Sequence, residues 1–132
     1  MRDAIIKKFS DAHLCVGIIW MNILPEDSKE AAKDAARKLS SPFVTHFYDP
    51  HKLSGKAIAE SIGWDDTLAW DIYLFYKAGV TWSQRAPVPA AYMHQLSKKN
   101  RTDPKHFYRG EDLVKKLSET AERLIDVQGQ RV

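Results

Sequence analysis

Cysteines, glycine-rich segments and long apolar runs are scarce in this chain of 132 residues. Its single cysteine, Cys15, leaves no partner for an intramolecular disulfide or a CxxC site. We expect that thiol to be buried and inert, because it lies in the apolar run 14–20. No apolar stretch reaches the ~18 residues of a membrane span, and no signal peptide is expected at the N-terminus. These absences predict a cytoplasmic protein without a membrane partner.

Signatures of several common catalytic sites are also missing. The chain has no Gly-rich phosphate loop, GxSxG or HExxH motif. Its composition is ordinary for a globular protein, with 44% hydrophobic and 28% charged residues and a net charge of +3. A chain of this length buries enough surface to fold without a metal or a disulfide. We therefore expect a single domain over residues 1–132, with no cofactor and no bound metal.

Hydrophobic periodicity predicts alternating helices and strands, and hence an α/β domain. Apolar, β-branched and aromatic runs predict strands at 14–21, 43–48 and 70–76, with 80–82 as the return strand of a hairpin. The first of these strands has the pattern of one buried on both faces of a parallel sheet. Apolar residues at helical spacing predict helices at 3–9, 28–39, 53–62, 90–96 and 110–127.

Residues 43–82 read FVTHFYDPHKLSGKAIAESIGWDDTLAWDIYLFYKAGVTW and run from a strand with an Asp-rich turn through a short helix to a hairpin. This order resembles the thioredoxin superfamily, and its peroxiredoxin and TlpA-type branch in particular. The resemblance covers residues 3–82 and the C-terminal helix. It implies a thioredoxin-like sheet of about four strands flanked by helices, with an extra C-terminal helical segment.

The chain departs from that family in ways that bear on function. The family's N-terminal strand and its active-site cysteines would precede Met1, and Leu68-Ala69-Trp70 occupies the place of its cis-proline. Attack on a disulfide needs an accessible thiolate and a resolving thiol, so we expect no thiol redox activity. Without the central strand, the edge of strand 14–21 is unpaired, and another segment or a second copy must fill the gap. The sequence therefore predicts a binding or assembly module that forms a homodimer, with a protein partner as a further possibility.

Histidines and aspartates occur on and near the predicted strands, and they give a first alternative function. These residue types serve as metal ligands and acid–base pairs, although their spacing matches no zinc or catalytic motif. The alternative is a metal-dependent or acid/base enzyme, and the competing interpretation is that Asp71 caps a loop or pairs with Arg85 or a histidine. The balance of these observations is against an enzyme. The candidate catalytic residues are His46, Asp49, Asp71 and His94.

Aromatic and basic residues supply two further candidate surfaces. Trp70, Trp82 and Tyr92 could line a ligand pocket, with core and cross-strand packing as the other explanation. Residues 98–109 carry a net charge of +4 with interleaved aromatics, as some nucleic-acid surfaces do. A solvated loop explains this segment more simply, so nucleic acid is not the expected partner. The candidate contacts are Lys98, Lys99, Arg101, Lys105 and Arg109.

Overall fold

A computed structural model describes residues 2–9, 14–64, 67–96 and 103–129, and it shows a mixed α/β protein. These residues contain four strands, three α-helices, an N-terminal π-helix (Arg2–Lys7) and a 3₁₀ turn (Pro104–His106). The strands are β1 (Val16–Met21), β2 (Val44–Asp49), β3 (Ile72–Phe75) and β4 (Ala91–His94). The helices are α1 (Lys29–Lys38), α2 (Leu53–Ser61) and α3 (Gly110–Gly129).

The four strands form two separate two-stranded sheets. β1 and β2 are parallel, joined by α1, with Val16 opposite Val44 and Met21 opposite Asp49. β3 and β4 are antiparallel, with Ile72 opposite His94. The described residues thus show two small sheets where a sheet of about four strands was expected.

Local signals predicted the βαβ unit correctly. Ser28 caps α1, because its Oγ accepts a hydrogen bond from the Ala31 N–H at 3.1 Å. None of the residues of α1 is buried, so the helix covers the sheet only loosely. β1 is not buried on both faces either, because its residues alternate between exposed and half-buried positions from Val16 to Ile19.

The segment after β3 differs most from the sequence expectation. Residues 80–82 do not return as a strand and are exposed, whereas the segment predicted as a helix at 90–96 contains β4. Pairing with β3 buries Met93 and His94 completely, and this burial outweighs the weak helical preference of the Ala-rich segment. Asp71 precedes β3 instead of lying within a strand, and it takes a left-handed conformation with φ of 49°.

Two apolar clusters lie on either side of the β3–β4 hairpin. The first core cluster contains Ile5, Met93, Leu113, Leu117 and Ala121, and the second contains Ile58, Ala59, Trp64, Ala69 and Leu96. Val16 of β1 and Tyr73 and Phe75 of β3 all pack against the first core cluster. The two sheets therefore share one core without pairing with each other in the described chain.

The expectation that Cys15 is buried was wrong. Cys15 is exposed, because it lies just before β1 on the same face as the exposed residues Gly17 and Ile19. On α3, Val114 is 45% exposed, because Leu113 and Leu117 take the positions that face the core. Among the described helices, none is long and apolar enough to cross a bilayer.

Candidate functional site

His46 lies on β2 and faces Trp20 of β1. The Trp20 indole N–H donates to His46 Nδ1 at 3.1 Å, and the two rings are stacked with centroids 6.1 Å apart. Because Nδ1 accepts this bond, the proton of the neutral ring lies on Nε2. That Nε2 is buried and has no partner among the described residues. His46 is therefore bound into the β1–β2 sheet and turned away from solvent.

Asp49 at the end of β2 holds the first turn of α2. Its Oδ2 accepts hydrogen bonds from the backbone N–H of Ser54 at 2.7 Å and from Ser54 Oγ at 2.5 Å. Burial by itself raises the pKa of Asp49, but hydrogen bonds from the Ser54 side chain and from nearby backbone N–H groups outweigh it and lower the pKa. Ser54, in the first turn of the helix, thus donates to the aspartate that caps it.

Asp71 and His94 lie at the same end of the β3–β4 ladder but bond to different groups. Asp71 is exposed and accepts a hydrogen bond from Gln95 Nε2 at 2.9 Å. His94 is fully buried, its Nε2 is 2.7 Å from the carbonyl oxygen of Asp103, and its Nδ1 accepts from the Leu96 N–H at 3.1 Å. A carbonyl oxygen only accepts, so Nε2 carries the proton and both ring nitrogens are satisfied.

The structure therefore does not gather the four predicted residues into one hydrogen-bonded group. Each has its own structural partner, and no group of three or more metal-ligating side chains occurs in the described parts of the chain. These contacts favour structural roles for the four residues.

A polar and aromatic cluster does form next to His94, around the 3₁₀ turn. Its centre is Asp103, whose Oδ2 is 2.6 Å from His106 Nδ1 and accepts from the Tyr92 hydroxyl at 3.2 Å. The Tyr92 and His106 rings stack with centroids 4.0 Å apart, and Trp64 contacts the edge of Tyr92 and the ring of His94. We call these five residues the Asp103 cluster: Trp64, Tyr92, His94, Asp103 and His106.

Burial and hydrogen bonding set the charge state of this cluster. Burial, together with the negative charge of Asp103 and the hydrogen bond to it, raises the pKa of Tyr92 to about 12. The nearby Trp64 N–H lowers the pKa of Tyr92 slightly and so offsets part of this rise. The Trp64 N–H is buried, and its geometry toward Tyr92 is too poor for a regular hydrogen bond. Burial raises the pKa of Asp103, but the Lys105 N–H, His106 and Tyr92 outweigh it and leave the pKa lowered. At neutral pH the cluster therefore holds an ionised carboxylate beside a protonated phenol.

The candidate aromatic residues are divided between core and surface. Trp70 and Tyr92 pack against the second core cluster, whereas Trp82 is 46% exposed in the loop after β3. Core packing therefore accounts for the first two.

The basic segment lies partly outside the described residues, which include neither Lys98, Lys99 nor Arg101. Lys105 and Arg109 are exposed. Arg109 lines an open groove of about 470 Å³ that also contains charges of both signs and two aromatic rings. The remaining residues of this groove are Phe107, Tyr108, Asp112, Lys115, Lys116 and Glu119. Its carboxylates make it a poor match for a continuous polyanion such as nucleic acid.

Sequence reasoning missed Asp103, His106 and Trp64. The first two stand three residues apart around Pro104, a spacing that brings side chains together over one helical turn. This spacing could have predicted a contact between the two side chains. The segment was instead interpreted only by its net positive charge. Trp64 gave no signal, because its position depends on how α2 packs against the hairpin.

A second feature is the free edge of β1. The Val16 N–H bonds to the Phe43 carbonyl at 2.9 Å, so alternate N–H groups, from Gly17, Ile19 and Met21, point away from β2. Within the described residues no other strand pairs with β1. On the uncovered face of the sheet, Ile19 is 37% and Phe47 is 54% exposed. Parallel strands are usually covered on both faces, so this sheet is incompletely enclosed.

Comparison with known proteins gives no match to a family model, to a curated protein or to a solved structure.

Proposed function

We propose that this protein is a non-catalytic binding and assembly module of thioredoxin-like build, without thiol redox activity, and that it forms a homodimer through β1. The observation that carries the proposal is the free edge of β1 in a two-stranded parallel sheet with an exposed apolar face. The single unpaired cysteine suits a reducing compartment, which supports the cytoplasm as the place of action.

The arrangement of the two sheets supports this proposal. β1 and β3 pack against the same core cluster, but neither is the other's neighbour in a sheet. A thioredoxin-like sheet that lacks its central strand would be divided into two smaller sheets in this way. A strand added beside β1 would satisfy the outward N–H and C=O groups of Gly17, Ile19 and Met21, which otherwise depend on water.

A second copy is the occupant to which we commit, because an exposed strand is complementary to itself. Two β1 strands related by a two-fold axis pair antiparallel and join two sheets into one of four strands, β2–β1–β1–β2. Ile19 lies near the middle of the six-residue strand, so its copies approach each other closely across the axis. The result is an isologous interface built mainly from backbone hydrogen bonds.

Light scattering coupled to size-exclusion chromatography tests the proposal. We expect the wild-type protein to be a dimer at micromolar concentration and Ile19→Lys to be a monomer, because two like charges then meet at the axis. Val114→Lys is the matched control: it places the same charge at a somewhat more exposed apolar position on α3, and it should remain a dimer.

Charge reversal tests the geometry of the interface itself. An equimolar mixture of Ile19→Lys and Ile19→Glu should recover the dimer, because opposite charges across paired strands are favourable. A wild-type monomer at about 100 µM, the range of a weak dimer, would contradict the proposal. So would an Ile19→Lys protein that is still dimeric.

A further inference from the structure

His106 has one ring nitrogen fixed as a donor. Its Nδ1 is 2.6 Å from Asp103 Oδ2, and that carboxylate is ionised and can only accept. The proton therefore lies on Nδ1, and Nε2 of the neutral ring carries a lone pair. The Lys105 N–H donates to Asp103 Oδ1 at 2.9 Å and the Tyr92 hydroxyl donates to Oδ2, so the carboxylate itself is held in place.

The ring of His106 is oriented and accessible at the same time. Tyr92 stacks on it with an interplanar angle of 17°, which fixes the plane of the imidazole. The His106 side chain is 38% exposed, and its Nε2 has no hydrogen-bond partner in the described part of the chain. His94 has both nitrogens occupied and His46 has a buried Nε2, so neither offers an exposed lone pair.

The surroundings of His106 favour an anionic reaction partner. Lys105 precedes it and Arg109 follows it by three residues, and both are exposed. Arg109 also lines the adjacent groove, whose other charges are Lys115, Lys116 and the carboxylates of Asp112 and Glu119. Exposed cations beside the imidazole, here Lys105 and Arg109, raise the local concentration of small anions such as phosphoryl compounds.

We propose that His106 is a phosphoryl-acceptor site, which takes a phosphoryl group on Nε2 from a phosphoramidate or acyl phosphate donor. The Nε2 lone pair forms the new N–P bond, the bond from phosphorus to its leaving group breaks, and the leaving group departs with that electron pair. The proton on Nδ1 stays in place. The ring becomes cationic as the bond forms, and the Asp103 carboxylate stabilises that charge through the Nδ1–H. Asp103 thus acts as a positioning residue and His106 as the nucleophile.

Potassium phosphoramidate serves as the donor in the test, and mass spectrometry under non-acidic conditions locates the phosphoryl group. In that reaction ammonia leaves from phosphorus. We expect His106 to be phosphorylated about tenfold faster than His51, an exposed histidine with no carboxylate partner on its ring. Phosphorus NMR should place the group on Nε2. Equal rates at the two histidines, or a group on Nδ1 of His106, would overturn the proposal.

Substitution of Asp103 tests the role of the carboxylate. Asp103→Asn keeps an oxygen that can accept from the Lys105 N–H, so the turn is retained, but it removes the charge; we expect the rate at His106 to fall about tenfold. His51→Gln leaves the Asp103 cluster intact, so its rate at His106 should stay within about twofold of wild type. Circular dichroism checks the fold of each variant. An unchanged rate in folded Asp103→Asn would refute the mechanism.

Discussion

Several polar side chains of this protein have partners that select one chemical form. His94 needs a proton on Nε2 and a lone pair on Nδ1 to satisfy the Asp103 carbonyl and the Leu96 N–H together. Asp49 needs its negative charge, because all its close partners are donors. The contribution of Asp49 to stability depends on pH, because these hydrogen bonds lower the pKa of its carboxyl.

Replacing Asp49 by Asn should remove part of the pH dependence of folding. The pKa of Asp49 in the folded protein lies below its usual value of 3.8, so the ionised form favours folding above that value. The contribution is lost as the pH falls through the lower folded pKa. Urea unfolding should show Asp49→Asn less stable than wild type at pH 7, with a smaller further loss between about pH 5 and about pH 3.

Asp34→Asn is the matched control for that experiment. Asp34 is exposed and pairs only with Arg37 on the surface of α1, at 3.0 Å. Its removal should change the free energy of unfolding by only a few tenths of a kcal/mol and leave the acid profile parallel to that of wild type. Identical acid profiles for Asp49→Asn and wild type would show that Asp49 does not act as its contacts indicate.

At the scale of elements, α2 is held closely against the segment before β3. Gly55 of α2 is buried, and its carbonyl accepts from the Ala69 N–H at 3.2 Å. A Cβ at this position would come within 2.8 Å of both the Ala69 carbonyl oxygen and Leu68 Cδ1. Glycine is used here for close approach, since its φ is ordinary for a helix.

Gly55→Ala should therefore destabilise the protein, although alanine is the better helix former. The helical preference favours alanine by about 1 kcal/mol, but the clash with a backbone carbonyl costs about 1–3 kcal/mol as the helix shifts. Chemical denaturation should give a net loss of stability, whereas Lys56→Ala on the exposed side of α2 should change little. A stabilised Gly55→Ala protein would mean that α2 can move without cost.

Elements with strong local signals were predictable, and those defined by distant partners were not. Ser28 before an Ala- and Lys-rich stretch marks α1, and apolar spacing marks α3, so both follow from neighbouring residues. β4 forms because it pairs with β3, which lies about twenty residues earlier in the chain. The residues of β4 also suit a helix, so the local sequence does not predict the strand. The Asp103 cluster has the same non-local origin, because it needs β4 to bring Tyr92 beside the 3₁₀ turn.

At the scale of the whole molecule, the β3–β4 hairpin forms the layer between the two core clusters and connects them. Met93 belongs to the first core cluster, whereas Leu96, two residues after β4, belongs to the second. A change in one cluster therefore reaches the other through the hairpin. The protein should unfold as one cooperative unit despite its divided sheet.

Leu117→Ala tests this cooperativity. Leu117 is almost fully buried in the first core cluster, and its truncation should cost about 2–4 kcal/mol. Circular dichroism, dominated by the helices, and tryptophan fluorescence, sensitive to Trp64 in the second core cluster, should shift to the same lower midpoint. Two separate transitions would show that the clusters are independent. Val114→Ala, exposed one turn earlier on the same helix, should leave both midpoints nearly unchanged.

The contact between the N-terminal helix and α3 has a consequence for the order of folding. Ile5 packs in the first core cluster, and Lys8 bonds to Ser118, 110 positions away, and to Glu122 at 2.7 Å. The β1–α1–β2 unit closes a loop of only about thirty residues, so the entropy lost on closure is smaller there. We therefore expect docking of the N-terminal helix to be a late step in folding, and its release to be an early step in unfolding. We expect the contact of this helix with α3 to complete the first core cluster, to which Ile5 belongs, and to slow unfolding.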